Sequence, residues 1–406
     1  MPILKRMPAI LLLVVAFFML YPRTAYCQWQ TDSVSFDFYG DAVTLPIIMP
    51  DSISLATPVT AESVQKYIAY FNTAAFVPMV NSLLAYKKKQ QLDDWLYYQL
   101  IRKTAQQISP KQNNYERYTV CKWFLLTMSG YNATLKTVKG RLLFYAQTNE
   151  SIFNIPYYYK NGKQYVCLNY HDYNYFEIQP EKYGEVAAGE EGSGKAFSYK
   201  VTQIPEGKDN AYVEKELEFN YYESINHFTV KLNPSIQQIF ANYPAVDFES
   251  YFNIPLSRQT YLSLIPSLKK HLHKMSVKKG VDFLMRFTRY AFLFETDTNN
   301  FGREKRLTPE QTLLYKSSDC EDRVALFFYL VKEIYNLPMI VLSYPTHITI
   351  AVKLKKPVGK PIIYKGEKYT VAEPTPQKED LELGKILPAL KNTAYEIVYV
   401  YQPAQE

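Results

Sequence analysis

The sequence predicts an α+β fold, and three patterns point there. Apolar residues recur at helical spacing in several long stretches, short runs alternate as strands do, and helical runs are followed by blocks of strands. At 406 residues the chain has room for two or three compact units, and a hydrophobic content of 47% is ordinary for a globular protein. The 37 tyrosines are spread over helical and strand-like segments alike. They read as amphipathic core and surface filler rather than as a carbohydrate-stacking platform.

Taken in order, residues 1–27 predict a secretory signal peptide. Lys5 and Arg6 precede the apolar run Ala9 to Leu20, which is short for a membrane span. Ala25 and Cys27 stand at minus three and minus one if cleavage precedes Gln28. Lipid anchoring at Cys27 is the alternative, and Tyr26 fits it poorly. Export to the periplasm or cell envelope is therefore expected. Loss of Lys5, Arg6 and Arg23 lowers the net charge of +7 by three, to +4. The longest basic run is then Lys87-Lys88-Lys89, and no nucleic-acid partner is implied. Three cysteines remain, Cys121, Cys167 and Cys320, an odd number that leaves at least one free thiol. Cys121 and Cys167 lie in apolar contexts and read as two buried thiols, with a disulfide between them as the other arrangement.

Residues 28–59 form a strand (VSFDFYG) and a linker. From 60 to 180 the reading is helical plus β. Thr60 caps a helix running to about Thr73, a second follows from Phe76, and a third covers Asp93 to Ile108. One more helix ends at Gly130. Strands follow, among them a hairpin of Ile152–Tyr159 and Gln164–Tyr170 turning at Asn161-Gly162. Residues 181–235 read as a small antiparallel region built from AFSYKVTQI, YVEKELEFNY and INHFTVKLN. Gly189, Gly194 and Lys195 have the spacing of a phosphate-binding loop. Ala196 stands where that motif needs a hydroxyl and a strand follows instead of a helix, so a hairpin tip is expected.

Residues 236–406 carry the chemistry. Helices over Pro255–Lys274 and Val277–Phe292 lead to a polar loop, Thr296–Thr308, placed to line a substrate groove. His271 and His273 lie on opposite sides of their helix. No metal-ligand spacing is present, and neither metal nor cofactor is implied. The stretch SSDCEDRVALFFYLVKEIYNLPMIVLSYPTHITIAV follows. Ser318 with Glu321 fits a capping box, placing Cys320 in the first helical turn, where unpaired N–H groups and the helix dipole favour a thiolate. A β-like run precedes an alternating strand that His347 begins. The next turn and strand end at Glu373. Nucleophile, base and orienting carboxylate thus occur in chain order on a helix and two strands.

This constellation resembles the transglutaminase-like superfamily, whose core is the papain-like cysteine-hydrolase fold. Cys320 opens its helix, His347 lies on the following hairpin, and Glu373-Pro374-Thr375 stands where the family usually has Asp-Pro-Thr. The resemblance covers roughly 256–373. It implies acyl transfer at amide bonds of a protein or peptide substrate, with Cys320, His347 and Glu373 catalytic, as a peptidase or amidase in preference to cross-linking. Two departures support the rival expectation of an inactive scaffold or binding protein. Glu replaces Asp, and Asp319, Glu321 and Asp322 crowd Cys320 with negative charge.

The first half echoes this region. Without gaps, Asn114 falls on Cys320 and Glu116-Arg117 on Asp322-Arg323, while Asn161–Tyr165 resembles Lys365–Tyr369 and brings Asn169 near Glu373. Residues 60–180 thus read as a degenerate copy of the same helix-then-sheet core, with no histidine at the His347 position. Any amphipathic helix followed by strands would also align passably.

Overall fold

A computed structural model describes residues 32–47, 55, 57–69, 73–173, 184–186, 194–208 and 211–404. The leader segment and Gly189 lie outside these residues. Strands β1 (Asp32–Phe38) and β2 (Asp41–Ile47) form a hairpin whose turn, Tyr39-Gly40, has positive φ at both positions. Gly40 is held there at φ +100, and a Cβ would strike the backbone of Lys208.

Four helices follow: α1 (Ala61–Ala69), α2 (Thr73–Lys89), α3 (Asp94–Ile108) and α4 (Tyr115–Met128). The starts of α1, α3 and α4 are set by short polar side chains satisfying orphan N–H groups. Thr60 and Ser63 cap each other reciprocally, Asp93 accepts from Leu96 N at 2.9 Å, and Asn114 accepts from Arg117 N at 2.7 Å. Gly130, at φ +87, ends the run beyond α4.

The first sheet is built from β3 (Ala133–Val138), β4 (Arg141–Thr148), β6 (Tyr157–Lys160), β7 (Lys163–Cys167) and β8 (Gly184–Glu185), in the spatial order β6-β7-β4-β3-β8. The short β5 (Ile152–Phe153) leaves this sheet and pairs with β11 (Ala245–Val246). Alternation along β4 sends Leu142, Phe144 and Ala146 into the main core, and Leu143 and Tyr145 into a satellite cluster on the other face.

The region between the halves differs from the three-strand sheet expected of it. Among the described residues β9 (Val213–Tyr221) and β10 (Ser224–Leu232) pair with each other, while β8 joins the first sheet. Residues 196–204 alternate like a strand, with Phe197, Tyr199 and Val201 buried, yet their backbone donors go mostly to side chains. Ser198 N reaches Asp94, Tyr199 N reaches Glu150, and Thr202 N reaches Asp93. Carboxylates here replace a partner strand. Gly194-Lys195 runs beside Tyr131-Asn132 and opens no helix. The β9–β10 hairpin packs on the second half, where Phe219 and Phe228 meet Phe283 and Phe287.

Short helices α5 (Ser235–Ile239) and α6 (Phe248–Phe252) lead to α7 (Arg258–Leu272) and α8 (Val277–Tyr290). Then come β12 (Leu293–Phe294), α9 (Asp297–Phe301), α10 (Pro309–Leu314), β13 (Ser317–Ser318) and α11 (Cys320–Tyr335). The second sheet comprises β14 (Met339–Tyr344), β15 (His347–Val352), β16 (Ile362–Tyr364), β17 (Glu367–Ala372) and β18 (Glu396–Tyr401), in the order β16-β17-β15-β14-β18. Helix α11 packs on β15, where Ile348, Ile350 and Val352 face the main core.

In each half, therefore, one helix precedes five antiparallel strands connected in the same sequence and lying in the same spatial order. A single apolar cluster runs through both halves. No helix among the described residues is long and apolar enough to cross a membrane.

Candidate active site

The helix carrying Cys320 begins one residue later than the Ser318–Glu321 pairing predicts. Ser318 is held extended in β13, paired in parallel with Phe294 of β12. Asp319 is the cap. Its side chain accepts from Asp322 N, and the Asp322 side chain accepts from Asp319 N, a reciprocal box of two aspartates. Cys320 is consequently the first helical residue, half-buried against the main core.

His347 opens β15 and Glu373 directly follows β17. The two meet: His347 Nε2 lies 2.8 Å from Glu373 Oε2, with the carboxylate buried. The other carboxylate oxygen, Oε1, accepts from Thr375 N at 3.0 Å, so the extra methylene of Glu is accommodated and both oxygens are engaged. With Nε2 directed at Glu373, Nδ1 is the nitrogen left for a thiol. The Cys320 thiol lies against the N–H of Ile348, the residue after His347. Among the described residues no hydrogen bond joins Sγ to the imidazole.

The electrostatics around Cys320 are acidic. Burial pushes its thiol up to about 12, and Asp319 adds to this; the Ile348 N–H opposes the rise, while Glu321 and Glu373 reinforce it. Carboxylate oxygens of Asp297, Asp319 and Asp322 all lie within 4.8 Å of one another, a cluster that sequence spacing does not reveal. Burial followed by the Asp319 charge lifts Asp297 to about 7, and burial lifts Asp319 to about 6. Asp322 is fully buried, well above the usual carboxylate range, and accepts from Leu307 N at 2.7 Å.

Two arginines, also missed from the sequence, brace the site. Arg323 is fully buried and grips the end of α8 and the residues just beyond it. Its guanidinium donates to the carbonyls of Thr288, Arg289, Phe292 and Leu293 at 2.8–3.1 Å. These include carbonyls that a helix terminus leaves unpaired. Arg289, whose own carbonyl Arg323 holds, sends Nε and a terminal nitrogen to the carbonyl oxygen of Glu373. Its remaining nitrogen binds Asp380 and the Leu381 carbonyl. An unbroken chain of hydrogen bonds thus runs from the Cys320 helix through Arg323, Arg289 and Glu373 to His347. In sequence, Arg289 follows Arg286 by one turn and Arg323 follows Glu321-Asp322, and each reads as an ordinary solvated position on a helix.

The polar loop does line a cleft. Residues Gly302–Arg306, with Asn154, His171 and Asn242–Ala245, enclose about 530 Å³ that reaches Glu321, the neighbour of Cys320. The larger cleft, about 810 Å³, lies between the N-terminal hairpin and α7 and includes none of the three predicted residues. Cys121 and Cys167 are buried free thiols. His271 stacks near Phe283, with ring centroids 4.6 Å apart, as a core-edge residue.

By cap position the echo is out of register by one. Asn114 caps α4 as Asp319 caps α11, so Tyr115, not Asn114, occupies the place of Cys320. Tyr115 Oη donates to Asp172 at 2.8 Å and accepts from Asn169 Nδ2 at 3.0 Å. A scan against protein-family models gives no match to this chain, and neither does a search of curated proteins.

Proposed function

We propose that this chain is an envelope-located, transglutaminase-like cysteine enzyme acting on amide bonds of a protein or peptide. Both halves would be variants of one papain-like core, with only the second active. The observation that carries the reading is the His347–Glu373 pair at 2.8 Å, beside a cysteine that opens its helix, in the chain order of that superfamily.

Because acidic neighbours disfavour a preformed thiolate, Cys320 acts from the thiol. As Sγ attacks the carbonyl carbon, its proton passes to His347 Nδ1, and Glu373 stabilises the resulting imidazolium. N–H groups at the helix start, that of Cys320 included, receive the oxyanion. The C–N bond then breaks and the leaving amine takes the imidazolium proton. Water, activated in turn by His347, releases the acid and restores the thiol. Hydrolysis is favoured over transamidation because water is the default acceptor.

A second reading, a non-catalytic scaffold of the same fold, is favoured by the thiol's rise to about 12 and by the lack of an Sγ–imidazole hydrogen bond. The deciding experiment combines a peptide and amide substrate panel with trapping of an acyl-enzyme on Cys320 by mass spectrometry. Cleavage with a trapped thioester supports the enzyme. A parent protein inert on every amide, whose Cys320 is alkylated only at strongly alkaline pH, establishes the scaffold.

A further inference from the structure

A third cleft, far from Cys320 in sequence and independent of its chemistry, lies between β1 and α3. It encloses about 430 Å³, within the range of small-molecule sites, and Gln99, Arg102, Lys103 and Lys111 are among its walls. Positive charge is concentrated here and only partly answered. Lys111 pairs with Asp172 at 2.5 Å. Lys103 Nζ donates to the Asp37 carbonyl at 2.9 Å and lies over the Tyr39 ring. Arg102 has no carboxylate within ion-pairing distance among the described residues. Its NH1 donates to Gln99 Oε1 at 3.0 Å, and Tyr118 Oη rests on its carbonyl.

That contact also orients Gln99. The guanidinium takes the amide oxygen, so Nε2 is turned away, and this nitrogen is buried with no partner among the described residues. Gln99 is 3% exposed. Behind the wall, Lys122 is 1% exposed, and burial lowers it to about 7 with Asp172 opposing the shift. The unsatisfied Gln99 donor thus sits beside a half-buried guanidinium that Tyr118 and, at longer range, Asp172 only partly satisfy, and acceptors from a ligand would complete both.

The geometry points to a binding site for a small organic acid, its carboxylate received by Arg102 with Lys103 and Gln99 beside it. The planar guanidinium fork matches two carboxylate oxygens. Phosphate suits the cleft less well, because its charge is concentrated on one group facing Asp37 in the wall and Asp172 beside Lys111, whereas each carboxylate carries a single charge in the planar shape of the guanidinium fork.

The test is calorimetric titration of the full chain with succinate, L-glutamate and inorganic phosphate, repeated on Arg102→Gln and Lys103→Gln. The expected result is saturable binding of at least one carboxylate. It should weaken about tenfold in Lys103→Gln and be lost in Arg102→Gln, as hydrogen bonds to a charged group are removed. Thermal melts without ligand guard against a folding artefact. Arg102→Gln should melt within about 2 °C of the parent, since the guanidinium is only half-buried and the glutamine keeps an N–H donor for Gln99 Oε1. No heat with either carboxylate at millimolar concentration, equal affinity in parent and both variants, or tighter binding of phosphate would each overturn the assignment.

Discussion

Two sheets in this molecule share one strand order, and their helix N-termini face opposite fates. In the second, a thiol, an imidazole and a carboxylate gather where α11 meets the starts and ends of strands, with the imidazole hydrogen-bonded to the carboxylate. In the first, the same place holds Tyr115, Asn169 and Asp172. The Asn169 amide is spent on structure: Oδ1 accepts from Phe144 N at 2.8 Å, and Nδ2 donates to the Leu142 carbonyl and to Tyr115 Oη. His171 nearby is held neutral, lowered to about 3 by burial against the opposing pull of Asp172. The fold fixes where a reactive trio would stand. Whether one stands there depends on a few side chains that leave the strand order unchanged.

The largest effect expected from this comparison is on chemistry. Cys320→Ser should abolish acyl transfer, and His347→Ala should reduce it at least about a thousandfold, while Tyr115→Phe leaves it unchanged. Steady-state turnover of a cleaved peptide measures all three. Activity surviving in Cys320→Ser would remove the thiol from the mechanism.

Next in size is the brace. Arg323→Met strips several hydrogen bonds from buried carbonyls and should cost about 3–5 kcal/mol in urea unfolding, as removal of a buried charged partner does. By cap position its counterpart in the first half is Tyr118, whose hydroxyl reaches only Arg102, through a 3.4 Å contact to its carbonyl and a bond to its side chain. Tyr118→Phe should cost under about 1 kcal/mol. Equal losses in the two variants would mean that Arg323 braces nothing special.

Glu373→Gln should be milder than either catalytic change, about tenfold in kcat, because an amide oxygen still accepts from the imidazole but no longer balances its charge. An unchanged kcat would assign Glu373 to structure alone, through its bond to Thr375 N and its carbonyl to Arg289.

How far the sequence carried this picture depended on how local each signal was. Asp93 caps its helix through a bond that closes within three residues, so the start of α3 was legible; Asn114 does the same at α4, where only the end was placed from the sequence. At α11 two overlapping boxes compete, Ser318 with Glu321 and Asp319 with Asp322. The choice is made by β12, remote from the helix, which holds Ser318 extended. Residues 196–204 alternate as any strand does, and no pattern within them records that Asp93, Asp94 and Glu150 take the place of a neighbour. The meeting of His347 with Glu373 was visible because order along the chain survives folding. Arg289 and Arg323 were not, since their partners are backbone carbonyls, which leave no trace in side-chain identity.

The smallest expected effect concerns the acidic cluster, which has no equivalent around Tyr115. Burial and the Asp319 charge raise Asp297 to about 7 in the folded chain, against an ordinary value of 3.8. Between those values the folded state binds more protons than the unfolded state, so stability falls as pH rises through the window and is greatest below it. Asp319, raised to about 6, acts in the same direction. The parent should therefore melt higher near pH 5 than near pH 7, opposite to a protein whose carboxylates are stabilised by cations. Asp297→Asn keeps an oxygen that can accept from Lys305 N, as Asp297 Oδ2 does at 2.7 Å, and removes the charge. It should raise the melting temperature at pH 7 by about 1–2 °C, the size expected from roughly 1 kcal/mol in a chain of this length, and leave it unchanged near pH 4. Calorimetric melts of parent and variant across that range make the comparison. A parent whose stability climbs steadily from pH 4 to pH 7 would show that the cluster is ionised without penalty, and the same melts on Asp297→Asn would then report a loss instead of a gain.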